Sequence, residues 1–350
     1  MRTTQAVCNL RGPADGAGTI QGYHWHAGCM DLMVFAAPHS GSSVYPQHLR
    51  LAQAAERCGY AGFVRGDHYW AEVPPGSTDA WITLAGLARE TSTIRLGVLV
   101  TAATFRHPGP LAIQVAQVDQ MSGGRVEFGL GAGWYEPEHR AYGIPFPPWK
   151  QRFERLEESL AVITGLWRTP IGDRFSYHGT HYRLEDCPGL PKPSQPGGPP
   201  IIIGGAGTKR TPALSARYAD IFNHQPGRTD IDDPFTTNPP TGVEAAAAQF
   251  ERVRQACRAI NREPSELRFS HTMTLCCGRT DAEVGARAAA IERSVEDLRE
   301  RGGAGSPSEL VDSISRYAEA GVSRTYLMIR DIDDLDHIEL VASEVMPQLD

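Results

Sequence analysis

Two kinds of residue cluster in this chain could do chemistry. In the first, Gly66-Asp67-His68-Tyr69-Trp70 sets a carboxylate, an imidazole and two aromatic rings directly after the apolar run Gly62–Arg65. Imidazole has a reference pKa of ~6.5, so His68 can hydrogen-bond or exchange a proton near neutral pH, with Asp67 as the neighbour able to orient its ring. The same string also reads as a strand cap, with Trp70 either packing on a planar ligand or filling the core. In the second, two apolar runs end in glycine: Val126-Glu-Phe-Gly-Leu-Gly-Ala-Gly-Trp134 and Pro200-Ile-Ile-Ile-Gly-Gly-Ala-Gly-Thr-Lys-Arg210. Glycine removes the β-carbon from a turn, and the amides that open the next helix can face an anion. That pattern favours a phosphorylated cofactor, while either segment alone reads equally as a plain tight turn.

Composition excludes several other classes. The 350 residues are 41% hydrophobic and 21% charged, the balance of a folded globular chain. A formal net charge of -7 gives no general attraction to nucleic acid or to an anionic membrane. No apolar run is long enough to cross a bilayer, and the start lacks the basic-then-apolar order of a secretory signal, so a cytoplasmic location is the expectation. The seven cysteines include no CxxC and the histidines no HExxH, so neither a disulfide framework nor a metal site is indicated.

The elements that must position these clusters alternate. Strand candidates are Leu32–Phe35, Gly62–Arg65, Ile94–Val100, Val126–Leu130, Pro200–Ile203, Asp220–Phe222, Leu267–Leu275 and Thr325–Ile329. They are short, apolar and separated by helical patterns, as parallel strands with crossover helices are. Leu156, Leu160, Ile163 and Trp167 form one helical stripe, and Phe250, Val253, Cys257 and Ile260 another. Ser306-Pro-Ser-Glu309 reads as a capping box opening a further helix whose inner face is Leu310, Ile314 and Tyr317. Eight strands in this order predict an α/β fold, a (β/α)8 TIM barrel. An open doubly wound sheet fits less well, because the first strand–helix junction lacks the dinucleotide fingerprint. Residues 1–29 read as an N-terminal extension before a single domain over 30–350. The long intervals Arg168–Gly198 and Asn223–Thr241 are expected at the catalytic end as lid-like insertions.

The chain resembles the bacterial luciferase-like superfamily, in particular its coenzyme F420-dependent oxidoreductases. The resemblance runs through Met121-Ser-Gly-Gly-Arg-Val-Glu-Phe-Gly-Leu-Gly-Ala-Gly-Trp-Tyr-Glu-Pro-Glu-His-Arg-Ala-Tyr-Gly-Ile-Pro-Phe-Pro147 and Arg152-Phe-Glu-Arg-Leu-Glu-Glu-Ser-Leu160. It continues in Ile201-Ile-Ile-Gly-Gly-Ala-Gly207 and Ala216-Arg-Tyr-Ala-Asp-Ile-Phe-Asn223. It implies that Asp67 and His68 lie near a deazaflavin, with Gly66 standing where the family has a serine. It also implies that the segment Thr101–His107 passes along the cofactor from the end of the third strand, near which family members place a strained or cis peptide. His107 reads equally as a helix-start residue. By the same resemblance Gly131, Ala132 and Gly133 lie beside the cofactor, and Gly204, Gly205 and Gly207 approach its phosphate. Lys209 or Arg210 reads as charge compensation or as a surface cation, and Trp134 as a border to the open face of the ring or as core packing. The catalytic glutamate of the family's glucose-6-phosphate dehydrogenases has no counterpart here, so its role does not pass to Glu136.

The activity so implied is hydride transfer between C5 of the deazaflavin and a small organic substrate, with His68 as proton partner and Asp67 and Thr101 as organisers. An FMN-dependent luciferase-like monooxygenase is the alternative, and a noncatalytic cofactor-binding barrel a further one. A homodimer is the expected assembly.

Overall fold

The computed structural model describes residues 18–20, 23–25, 30–37, 44–70, 76–225 and 242–349. Eight strands close into a parallel barrel in chain order: β1 Asp31–Ala36, β2 Gly62–Arg65, β3 Arg95–Ala102, β4 Val126–Gly131, β5 Ile201–Gly204, β6 Ile221–His224, β7 Arg268–Thr274 and β8 Arg324–Ile329. This is the barrel expected from the sequence. Its strands are nearly continuous apolar runs because both faces are buried, one in the barrel and one under helices.

Alternation sorts the side chains. Leu32, Val34 and Ala36 of β1 meet the helices, while Met33 and Phe35 join Val64, Leu99, Ile202, Ile221 and Tyr326 in a separate core cluster. Below that layer, at the strand starts, the interior is ionic. Arg324 is fully buried, 2.6 Å from Glu127 and 3.2 Å from Asp31, while Arg268 and Arg95 complete the set at 2.6 Å from Asp31 and 2.7 Å from Glu127. Burial alone would raise the Glu127 pKa, but the guanidiniums of Arg324 and Arg95 hold it at about 2. With the lower end filled by salt bridges, the upper end is left for a ligand.

The outer layer holds α1 Tyr45–Arg57, α2 Ala80–Glu90, α3 Pro108–Ser122, the short α4 Glu136–Ala141, α5 Trp149–Arg168, α6 Arg210–Tyr218 and α7 Val243–Ala259. It continues with α8 Asp281–Ala290, α9 Val295–Glu300, α10 Pro307–Glu319 and α11 Leu335–Glu344. The Leu156, Leu160, Ile163 and Trp167 stripe is buried on α5, and Ser306 caps α10 through the Glu309 box. In the α7 stripe Ile260 departs from expectation: the helix stops at Ala259, and Ile260 is left 52% exposed.

The first long interval carries an antiparallel hairpin, Phe175–His178 with Arg183–Cys187. Glu158 of α5 accepts the backbone amides of Thr180, His181 and Tyr182, and the Tyr182 ring stands edge-on to His107 at the start of α3. These contacts lay the hairpin along the flank of α3 and α5. A second addition follows β7, where Cys276–Cys277 pairs with Ala304–Gly305 around α8 and α9. The interval expected over Asn223–Thr241 lies outside the described residues from 226 onward, as does most of the extension expected over 1–29. Within that extension Gly18–Ile20 pairs antiparallel with Tyr23–Trp25. No helix among the described residues is long and apolar enough to cross a membrane.

Candidate active site

The upper ends of β2, β3 and β4 bring three loops together: Gly66–Trp70, Ala103–Arg106 and Ala132–Tyr135, the last leading into α4. The peptide Leu99-Val100 is cis, in the strand where the resemblance implied one. The register between β3 and β4 shifts there, between Val98 and Thr101. Val100 crowds β4 so closely that a Cβ on Gly131 would lie 2.7 Å from Val100 Cγ2. Gly133 has φ +77°, and a Cβ there would meet Thr104 Oγ1 at 2.6 Å. Glycine at both positions therefore answers to the protein's own packing.

His68 is held from behind. Its Nδ1 lies 2.9 Å from Glu138 Oε2, and the Glu138 side chain is 1% exposed against 29% for His68. The other oxygen of Glu138 accepts the backbone amides of Tyr69 and Trp70, the latter at 2.8 Å. A carboxylate accepts only, so Nδ1 carries the proton and Nε2 is the atom left to exchange one. Trp134 and Tyr135 stand edge-on to the imidazole at 5.3 and 6.4 Å between ring centroids.

Asp67 does not orient His68, as the adjacent positions had suggested. Both residues lie past the end of β2, and Asp67 is taken by other donors. Its Oδ2 accepts the Ala102 amide at 3.1 Å and Arg106 Nη1 at 2.5 Å, while Oδ1 accepts Arg106 Nη2 at 3.1 Å. Arg106 also reaches Asp79 at 2.6 Å and the Tyr69 hydroxyl at 3.2 Å. Asp67 therefore ties β2 to the loop after β3. Thr101 is fully buried and its hydroxyl accepts Trp81 Nε1 at 3.2 Å, so that hydroxyl braces α2. His107 caps α3 by accepting the Gly109 amide at 3.2 Å, the plainer of its two readings.

Glu138 was the residue that sequence reasoning missed, although the string Glu136-Pro-Glu-His-Arg140 was in view. Its neighbour His139 accepts Thr104 Oγ1 at Nε2 over 2.7 Å while Nδ1 donates to Tyr135 O at 2.7 Å. Burial lowers its pKa. His139 thus fastens the loop after β3 to α4. Arg152, under the rings of Phe146 and Trp149, donates to Gly133 O at 2.5 Å and fixes the turn from below.

The second glycine turn follows β5, the barrel strand paired with β4. Gln249 of α7 donates to Gly207 O at 2.9 Å and to Gly205 O at 3.4 Å. In a trans peptide the next N–H points opposite its carbonyl, so the amides of Ala206 and Thr208 face away from Gln249, in an exposed stretch. Helix α6 begins there with no side-chain cap. Gly204 is required by Asn223, whose carbonyl oxygen would lie 2.7 Å from an added Cβ, and Gly207 by Thr211. Lys209 is exposed, whereas Arg210 donates to Lys150 O at 3.0 Å and so is partly engaged. Outward amides, an uncapped helix start and an exposed ammonium fit a phosphate group. No group of three or more His, Cys, Asp or Glu among the described residues is arranged to hold a metal ion.

Comparison with known proteins identifies the family. An F420-dependent hydroxymycolic acid dehydrogenase of Mycobacterium tuberculosis is 33% identical over 185 residues, 52% of this chain and 49% of that protein. An FMNH(2)-dependent dimethylsulfone monooxygenase of Pseudomonas putida is 31% identical over 211 residues, 60% and 53% of the two chains. The chain thus spans about half the length of these relatives. An F420-dependent glucose-6-phosphate dehydrogenase of Segniliparus rotundus is 26% identical over 316 residues, 85% of this chain and 91% of that one. Among solved structures, a monooxygenase from Streptomyces bottropensis superposes with a TM-score of 0.76 at 21% identity, over 92% of this chain and all of that one. An F420-dependent secondary alcohol dehydrogenase, bound to an F420-acetone adduct, gives 0.75 at 17% identity over 92% and 99%. At those identities the structures show a shared fold. The family model described as Luciferase-like monooxygenase matches residues 28–302. The chain belongs to the luciferase-like monooxygenase family.

Proposed function

We propose that this chain is an oxidoreductase that binds a flavin-type ring at the barrel mouth and moves a hydride between that ring and a small organic substrate, with coenzyme F420 as the carrier. The observation behind it is His68, whose Nδ1 is committed to the buried Glu138 while Nε2 remains for proton exchange at the mouth. When bound, the deazaflavin supplies hydride chemistry at its C5. The chain's own residues bind, orient and handle the proton. The amides of Ala206 and Thr208, the start of α6 and Lys209 would hold the phosphate. Ala37, Val100 and Met328, half-buried at the top of the interior cluster, offer the ring an apolar bed. His68 Nε2 gives or takes the proton that accompanies hydride movement, and Glu138 stabilises the imidazolium during the exchange.

Two relatives named for F420, one of them aligned along 85% of this chain, support that carrier. The FMN-dependent monooxygenase is the second reading, favoured by the Pseudomonas putida relative and by the family's own description. FMN also carries a phosphate, which the same amides would meet. Calorimetric titration with F420 and with FMN separates the two. Tighter F420 binding, with turnover in the absence of oxygen, is the expected result. Tighter FMN binding with oxygen-dependent turnover would replace the first reading by the second. Cofactor binding with no turnover across a broad reductant and substrate panel would make the chain a binding protein. Two further parts belong to this proposal. The chain works as a homodimer, which light scattering would reject by finding only monomer at assay concentration. Deleting residues 1–29 leaves the barrel folded, which loss of cooperative unfolding would reject.

A further inference from the structure

We infer that the substrate is an uncharged aromatic carbonyl or alcohol, seated against a wall of aromatic rings beside His68. This rests on the oxidoreductase reading and names the substrate class for that site. The wall runs from His68 to Trp134 at 5.3 Å, from Trp134 to Tyr135 at 5.0 Å, and from Tyr135 to Trp70 at 6.2 Å, with interplanar angles of 74°, 45° and 60°. All four rings are half-buried at the barrel mouth. They come from two loops, and each loop is anchored through its backbone. The Trp70 amide donates to Glu138, and the Tyr135 carbonyl accepts His139 Nδ1. Rings held this way lose little further freedom when a flat ligand settles on them, which favours binding by contact area.

Charge argues in the same direction. Recognition of a sugar phosphate or a carboxylate needs guanidinium or ammonium groups aimed at it. Among the described residues of these loops and of α5, Arg106 is engaged by Asp67, Asp79 and Tyr69, and Arg152 by the carbonyls of Pro147 and Gly133. Glu138 beneath the wall is a buried anion and disfavours a second anion beside it. The exposed Lys209 stands at the start of α6, after β5, where it is assigned to the cofactor phosphate. What the wall offers is π-faces, ring edges and one exchangeable nitrogen, His68 Nε2, able to hydrogen-bond a carbonyl or hydroxyl oxygen.

Calorimetry with 4-phenyl-2-butanone, an uncharged aryl ketone, and with glucose 6-phosphate tests this on the cofactor-free protein and on protein saturated with oxidised F420. The ketone is expected to bind saturably and to quench tryptophan emission, while the sugar phosphate binds at least tenfold more weakly. Trp70→Leu and Trp134→Leu should each weaken ketone binding by about tenfold, and Trp134→Phe, which keeps a ring, should recover most of the loss. Circular dichroism and urea unfolding report whether each variant is folded, and the titration of cofactor-free protein reads ketone binding apart from F420 binding. The inference is overturned if glucose 6-phosphate binds as well as the ketone, or if the ketone fails to saturate up to its solubility limit. It is also overturned if folded leucine variants retain full ketone affinity. A protein that binds F420 yet prefers the sugar phosphate loses only the substrate class. One that binds neither F420 nor FMN loses the cofactor reading instead.

Discussion

Glu138 and His68, seventy positions apart, form a carboxylate–imidazole pair at 2.9 Å in which the acid is sealed from solvent and the base is not. The pair fixes which imidazole nitrogen is available. Glu138→Gln reverses that assignment. Glutamine can still accept the Tyr69 and Trp70 amides through its oxygen, but its NH2 would then face Nδ1, which must become the acceptor, and the proton moves to Nε2. Turnover should fall ~10²–10⁴-fold if proton transfer matters to the rate, with cofactor affinity kept. Ring-nitrogen NMR shifts of the cofactor-free variant should show the other tautomer. An unchanged His68 spectrum would refute the positioning role.

His68→Asn retains a planar polar group at the mouth and removes proton exchange near neutral pH. Cofactor binding should survive while hydride-transfer turnover falls by ~10²–10⁴-fold. Stopped-flow absorbance at saturating cofactor isolates the redox step. A rate near that of the unmodified protein would leave His68 as a strand cap.

The sequence carried the barrel because each strand is a contiguous apolar run and each helix stripe is local, so both periods can be read within a dozen residues. His68 and the glycine turns were visible for the same reason. The connections between loops were not. Asp67 and His68 are neighbours in sequence, yet their side chains diverge at the strand end, one to Arg106 and the other to Glu138. Adjacency in sequence suggested a pair; partners from the loop after β3 and from α4 separate it. The resemblance made Thr101 an organiser beside the ring, and a contact 20 residues away in sequence, from Trp81 of α2, engages its hydroxyl. Gly131 and Gly133 read as openings for a ligand, and the structure shows what fills the space: Val100 and Thr104, from the neighbouring strand and its loop.

Arg106 joins two carboxylates from different loops, with side-chain exposures of 9% for the arginine and 1% for Asp67. Burial opposes its charge, but Asp67 and Asp79 overcome that and raise its pKa. Arg106→Met would leave Asp67 charged, buried and without its guanidinium, at a cost of about 3–5 kcal/mol. Adding Asp67→Asn should recover part of that loss. Urea unfolding of the two single variants and the double variant measures the coupling, and additive losses would show that the pair is not interdependent.

Gly133→Ala places a methyl group 2.6 Å from Thr104 Oγ1 in a residue at φ +77°. The backbone strain alone costs about 1–3 kcal/mol, and moving Thr104 also disturbs its bond to His139. Stability should fall in urea unfolding by at least that range. Ala132→Gly, one position away, serves as the control for a general effect of altering this turn. A fully stable Gly133→Ala would mean that the turn has room the geometry does not show.

Acid should weaken the fold through histidines buried between barrel and helices. His271 stacks on Tyr317 at 3.7 Å between ring centroids, and burial first, then nearby His224, lowers its pKa to about 3. Burial takes His224 to about 4 and, with Arg65, His48 to about 3. Each folded value lies below the ~6.5 of an unfolded histidine. As pH falls, the unfolded chain therefore takes up protons first, so the stability from keeping these rings neutral is whole above about pH 6.5 and is lost progressively down to about pH 3. His271→Phe keeps a flat ring against Tyr317 and removes both titrating nitrogens. Its urea midpoint relative to the unmodified protein should rise as pH is lowered from 7.5 to 4.5. Parallel pH dependence of the two proteins would show that His271 is not among the groups that acid attacks.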